Sequence, residues 1–185
     1  MKLVLGSKSP RRADVLRAAG IAFVLRPGDA VEEHRPGESP EDYVRRLARE
    51  KAEAIEVRDG ETILTADTVV VAGGEILEKP RDPGDAARML RLLAGAEHQV
   101  ITGICLRGGG REIVDLCRTR VFFVPLTDAE IDDYVATGES MDKAGAYGAQ
   151  ALASKFIDRI DGDYFNVVGL PVSLVWRHLR EFVSQ

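Results

Sequence analysis

Apolar residues in this chain gather into short unbroken runs and into stripes of helical period, and the two alternate from end to end. KLVL (2–5) reads as a short buried strand. Ser9-Pro10 then opens a helix in the usual order, with Ser9 at the N-cap, Pro10 at the first helical position and Gly20 as the stop. AFVLR (22–26) is a second strand, followed by a polar loop through DAVEEHRPGE. Ser39-Pro40 begins a second helix whose stripe is Val44, Leu47, Ala48 and Ile55. Lys51 falls on that stripe, where the period predicts an apolar side chain. A lysine turned inward must meet an anion or extend its stem toward water.

TILTADTVVVA (62–72) is the strongest strand, and Gly73-Gly74 turns it back into EILEKP. Asp82-Pro83 caps a third helix with Ala86, Ala87, Leu90 and Leu93 on one face. HQVITGICLR and REIVDLCRTRVFFV are long strands joined through Gly108-Gly109-Gly110, a hairpin signal. Thr127 and Glu130 form a capping box for a fourth helix ending near Gly138. A glycine-rich segment, KAGAYGAQA (143–151), precedes FIDRIDGDYFNVVGLP and a closing amphipathic helix, VSLVWRHLREFV. Strand-helix units beside long hairpins predict an α/β fold with a mixed sheet.

At 185 residues the chain suits one domain over 1–185, with 45% hydrophobic and 30% charged residues. No apolar run approaches the roughly 20 residues of a membrane helix, and the opening run is too short for a signal peptide. Two cysteines, Cys105 and Cys117, make no disulfide framework. These features point to a cytoplasmic protein with no membrane partner. Net charge is −5, the wrong sign for a chain that lives on polyanionic nucleic acid. An anion site here must be a local basic cluster, which suits a small phosphorylated ligand.

The turn GSKSPRR (6–12) is the first candidate for that cluster. A helix start offers unpaired N–H groups and the positive end of the dipole, and Ser7 and Ser9 add hydroxyls. Arg11 and Arg12 stand in the first turn, where cations oppose the dipole unless an anion comes to them. Asp67 lies inside a strand otherwise fit for burial, and a buried carboxylate needs an ion or a metal as partner. Lys79 follows one hairpin later. Glu32 and Glu33 sit in the first long loop, within reach of a hard cation shared with Asp67. The three histidines lack zinc spacing.

Seven segments, GSKSPRR, LAREKA (47–52), ADTVV (66–70), EKPRD (78–82), HQVITG (98–103), DKAGAYGAQ (142–150) and NVVGLP (166–171), together resemble the Maf family of nucleoside triphosphate pyrophosphatases nearly end to end. The resemblance implies an elongated, inosine triphosphatase-like α/β fold, a mixed sheet flanked by helices with a central cleft between two lobes. It implies hydrolysis between the α- and β-phosphates with a divalent cation, Mg or Mn, and a nucleotide as the partner, with a homodimer as the family habit. The family's proposed general base corresponds to Asp67, and Lys51 and Lys79 join it as catalytic cations. Ser7, Ser9, Arg11 and Arg12 would hold the substrate, and Glu33 with Asp67 the metal.

The DKAGAYG-x-Q form is similar to the branch acting on dTTP and UTP, and modified pyrimidine nucleotides are a further candidate substrate class. Arg11, Thr68 and Gln150 match its specificity positions. Two departures stand out: Gly6 replaces a common alanine, and Ala151-Leu152-Ala153 follows Gln150 where glycines are usual. Competing readings are a septum-formation inhibitor acting as an interaction protein and a purine-selective pyrophosphatase of the same fold.

Overall fold

A computed structural model describes residues 2–28 and 30–183. Seven strands, β1 (Lys2–Leu5), β2 (Val24–Leu25), β3 (Glu61–Ala72), β4 (Glu75–Leu77), β5 (Glu97–Gly108), β6 (Arg111–Phe123) and β7 (Ile157–Asp161), form one sheet. Their order is β2-β1-β3-β5-β6-β7, with β4 paired to β3. β1 runs parallel to both β2 and β3, whereas β3–β4 and β6–β7 are antiparallel. The sheet is mixed, as the pattern of units and hairpins predicts. The helices are α1 (Pro10–Ala18), α2 (Pro40–Glu53), α3 (Pro83–Leu93), α4 (Asp128–Ala136), α5 (Tyr164–Val168) and α6 (Val172–Val183).

Contacts divide the chain into two compact units. The first comprises residues 1–68, 102–117 and 169–185; the second comprises 69–101 and 118–168.

In the first unit the parallel register sets Val4 opposite Ile63 and Leu5 opposite Leu64. A core of Val4, Ala48, Ala52, Ile55, Ile63 and Cys105 joins α2 to these strands. Small residues bring the helix close: a methyl group on Gly103 would stand 2.4 Å from the Val44 carbonyl oxygen. β2 is shorter than AFVLR suggests. Among the described residues its one strand partner is β1, and Leu25 is exposed, so burial does not extend it.

In the second unit, α3 packs its Ala86, Leu90 and Leu93 face into a core with Val70, Leu77, Phe123 and Phe156. His98, Phe123 and Tyr147 meet edge to face, with ring centroids 4.8–5.3 Å apart. The 143–151 segment is not plain loop. Residues Ala144–Ala146 make a 3-10 turn containing Gly145 at φ 69° and Ala146 at φ 62°. Leu152–Phe156 makes a further 3-10 turn, and the IDRIDGDYFNVV that follows divides into β7 and the five-residue α5.

Candidate functional site

β3 alternates its side chains, so Ile63, Thr65 and Asp67 share one face. That face meets α2: Thr65 Oγ1 donates to the Ala48 carbonyl at 2.5 Å, and Asp67 Oδ1 accepts from Lys51 Nζ at 2.6 Å. Lys51 lies one turn beyond Ala48, in the last turn of α2, where a cation suits the dipole. The inward lysine of the apolar stripe therefore finds an anion. It also holds Glu32, with Nζ 2.6 Å from Oε1. Two carboxylates from different parts of the chain thus converge on one ammonium.

Burial lifts the Asp67 carboxyl above its ordinary range, and Lys51 and then Arg12 pull in the opposite direction. A carboxyl group held in this balance takes a proton more readily than a solvated aspartate.

The GSKSPRR turn leaves the end of β1 beside β3, since Gly6 N–H donates to the Leu64 carbonyl at 2.8 Å. Arg12 resolves the conflict between its charge and the helix start by turning its guanidinium to carbonyl groups. Nη1 donates to Ala66 O at 2.7 Å, Nε to Gly169 O at 2.9 Å, and Nη2 to Thr68 Oγ1 at 3.1 Å. Nη1 also reaches Ser7 Oγ at 3.3 Å, and that hydroxyl accepts from Ser9 N–H at 3.1 Å. Burial lowers the Arg12 pKa from its ordinary value, the Asp67 charge opposing that effect. Thr68 Oγ1 lies 2.9 Å from Thr102 Oγ1 on β5.

The start of α1 differs from three other helix starts. Ser39, Asp82 and Thr127 accept hydrogen bonds from their own first turns, whereas the Ser9 side chain makes no capping bond. The first-turn N–H groups of α1 lack this side-chain cap, a geometry that receives anions.

Ser7, Ser9, Arg12, Lys51, Asp67 and Thr68 are thus joined in the first unit by two hydrogen-bonded sets, one on Lys51 and one on Arg12. Arg11 is half-buried in the first turn of the same helix. Glu33 is exposed, and its carbonyl accepts from Arg46 Nη2 at 3.0 Å; the loop brings Glu32, not Glu33, to Lys51. Lys79 and Gln150 belong to the second unit, and both are exposed. Lys79 follows β4, and Gln150 sits in a turn closed by Ala151 N–H on Gly148 O at 3.2 Å.

Thr102 in HQVITG and Gly169 in NVVGLP carry no signal of a site role in the sequence. Gly169 adopts φ 116°, and its carbonyl is one of the Arg12 acceptors. A backbone carbonyl leaves no side-chain signal beyond the glycine itself.

Among the described residues there is no cluster of three or more histidine, cysteine or acidic side chains that could hold a metal. The donors present are the carboxylates of Asp67 and Glu32. Two hard oxygen ligands fit a cation such as Mg²⁺ when phosphate oxygens and water complete its shell. No described helix is long and apolar enough to cross a membrane.

A family model described as Maf-like protein matches residues 2–182. A dTTP/UTP pyrophosphatase of Koribacter versatilis (strain Ellin345) is 50% identical over 181 residues, covering 97% of this chain and 94% of that protein. One from Anaeromyxobacter dehalogenans (strain 2CP-C) is 51% identical over 176 residues, 93% of this chain and 89% of its own length. A third, from Geobacter sulfurreducens (strain ATCC 51573 / DSM 12127 / PCA), is 50% identical over 183 residues, 97% and 95% respectively.

Proposed function

The chain belongs to the Maf-like protein family, and on that footing we propose that it is a nucleoside triphosphate pyrophosphatase acting on dTTP and UTP. The observation that carries the reading is the buried Lys51–Asp67 pair, with Glu32 on the same ammonium. Such a pair gives no clear advantage in stability over apolar packing. It gives a carboxylate with a raised pKa beside a fixed cation, which is what water activation at a phosphate requires.

In the reaction, water attacks the α-phosphorus and passes a proton to the Asp67 carboxylate. The bond from the α-phosphorus to the oxygen bridging the α- and β-phosphates breaks, and pyrophosphate leaves with the bonding electrons. Lys51 holds Asp67 in place and offsets charge as it grows. The first-turn N–H groups of α1, Ser7, Ser9 and Arg11 bind phosphate oxygens, while Arg12 fixes the turn that presents them. Lys79 is assigned a second cationic role, and Gln150 with Thr68 the base preference, on the family resemblance.

A divalent cation, Mg or Mn, supplies charge neutralisation on the phosphates when bound. Asp67 and Glu32 are the residues that would hold it, Glu32 taking the part expected of Glu33. A cytoplasmic nucleotide-pool enzyme, with a second copy of itself as its protein partner, completes the reading.

A uracil or thymine ring presents N3–H and O4, a donor beside an acceptor, and a glutamine amide matches both when it is fixed in one orientation. The test is product analysis with purified protein and dTTP, UTP, CTP, dATP and dGTP, with and without Mg²⁺. The expected result is monophosphate and pyrophosphate from dTTP and UTP, at rates well above the other three. Orthophosphate as the product, no turnover, or faster cleavage of purine nucleotides would overturn it.

A further inference from the structure

The turn that carries Gln150 is held on its outgoing side by Glu139 and covered on its incoming side by Lys143. Gly148 O and Ala151 N–H close the turn at 3.2 Å. On its outgoing side, Leu152 N–H donates to Glu139 Oε2 at 3.2 Å. On its incoming side, Lys143 Nζ donates to the Glu139 carbonyl at 2.5 Å. The Lys143 stem and the Glu139 carboxylate lie over Gly148: a methyl group there would stand 2.7 Å from Lys143 Cε and 3.4 Å from Glu139 Oε1. Glu139 is itself fixed, because Oε1 accepts from the Tyr134 hydroxyl at 2.9 Å and Tyr134 is buried in the α4 face.

We infer that Glu139 is a positioning residue for base selection, its carboxylate holding the outgoing flank of the 148–151 turn and its carbonyl seating Lys143 against Gly148, so that Gln150 is presented in one orientation. The inference rests on the reading of Gln150 as the base-reading residue. An amide that selects uracil over cytosine must not rotate, since a flipped amide matches the reversed donor and acceptor pattern of cytosine. Gln150 is exposed, so immobilisation has to come from the backbone beneath it. A β-turn of four residues closed by one hydrogen bond does not hold its tip rigid alone. The carboxylate on the Leu152 N–H and the lysine stem against Gly148 provide the restraint. The Ala151-Leu152-Ala153 stretch after Gln150 is therefore compatible with a rigid turn. Glu139 touches no reacting atom and acts through Gln150.

The experiment measures kcat/KM for UTP and CTP with Mg²⁺ in wild type, Glu139→Ala, Glu139→Gln, Gly148→Ala and Gln150→Ala, with thermal unfolding of each. Glu139→Ala should lower the UTP-to-CTP ratio about tenfold, mainly through the KM for UTP. Gly148→Ala should lower it in the same direction by displacing Lys143. Glu139→Gln, which keeps the volume and one acceptor oxygen, should retain an intermediate ratio. If Gln150→Ala collapses the ratio while Glu139→Ala leaves it within twofold, the clamp is wrong and the base-reading assignment stands. If Gln150→Ala leaves the ratio unchanged, the base-reading assignment fails and the clamp fails with it. A uniform loss on both nucleotides at constant ratio also overturns the clamp. Should Glu139→Ala unfold, Glu139→Gln and Gly148→Ala are judged by the same ratio.

Discussion

Lys51 Nζ and Asp67 Oδ1 stand 2.6 Å apart, with side chains only 11% and 10% exposed. Removing one partner strands the other charge away from water, at a cost of about 3–5 kcal/mol for a buried pair. Lys51→Ala should therefore lower unfolding free energy by about 3 kcal/mol in urea titrations. Asp67→Asn keeps the shape and accepts from the same lysine, so it should stay folded while turnover falls by about 10²-fold or more. Retained turnover in Asp67→Asn would remove that carboxylate from the reaction.

The raised Asp67 carboxyl sets a direction for pH dependence. Its base form is lost as pH falls through a value above the ordinary aspartate range, because burial is the largest influence on it. The acid limb of kcat/KM should then lie at higher pH than that of a solvated aspartate. An acid limb at or below the ordinary aspartate value would show that Asp67 does not take the proton.

His98 governs a different quantity. Burial lowers its pKa from 6.5 to about 4, its Nε2 lies 2.7 Å from Tyr147 Oη, and its Nδ1 has no partner among the described residues. The folded state holds the ring neutral while the unfolded chain protonates it below 6.5. Stability is thus complete above pH 6.5 and lost as pH falls toward 4, by about 3 kcal/mol at roughly 1.4 kcal/mol per pH unit. Glu38, Glu61 and Asp85, each held at about 2 by an arginine, lose their contributions only below about 4.5. Asp67, held above its ordinary range, contributes with the opposite sign as pH falls, so the His98 contribution is read as the difference in slope between wild type and His98→Phe in urea titrations between pH 6.5 and 4.5.

Much of this molecule is legible in its sequence because its signals are local. Proline at the second position of a cap, a capping box at Thr127, and diglycine turns all mark ends that the structure keeps. Lys51 was detectable for the same reason, as one charged residue breaking an apolar period. Arg12 was less legible. Its acceptors are carbonyl groups 54 and 157 residues away, and no pattern along the chain records a carbonyl's direction. Glu32 and Glu33 are adjacent acids, and only the path of the loop, held by Arg46 on the Glu33 carbonyl, separates them. The 143–151 segment reads as a glycine-rich loop, since its constraint comes from Ala146 at positive φ and from Glu139, both invisible to composition.

Arg12 should not tolerate lysine. Three guanidinium nitrogens reach four acceptors at 2.7–3.3 Å, and a single ammonium cannot span them. Hydrogen bonds from charged groups contribute about 1.5–3 kcal/mol each when lost without replacement. Arg12→Lys should lower stability by about 2 kcal/mol and raise the KM for nucleotide, because the Ser7–Ser9 turn loses its tie to Ala66. Wild-type stability and KM together would show that the turn is held by other means.

Gly6 sits in a corner with no room for a side chain. A methyl group at this position would stand 2.4 Å from Ile55 Cδ1 and 2.7 Å from Thr65 Cγ2, so in this chain an isoleucine methyl fills the space that an alanine side chain would need. Ile55 is buried in the same core that seats α2 on β3, and Gly6 begins the turn to α1. Gly6→Ala alone should overpack this corner and cost about 1–3 kcal/mol. Ile55→Val alone opens a small gap and should cost about 1 kcal/mol. The two changes exchange one methyl for another across the same contact, so the double variant should be more stable than the sum of the single effects implies. A double-mutant cycle read from urea midpoints measures that coupling, which should favour the pair by about 1 kcal/mol. Additive losses would mean that Thr65, the other near neighbour, sets the limit at Gly6.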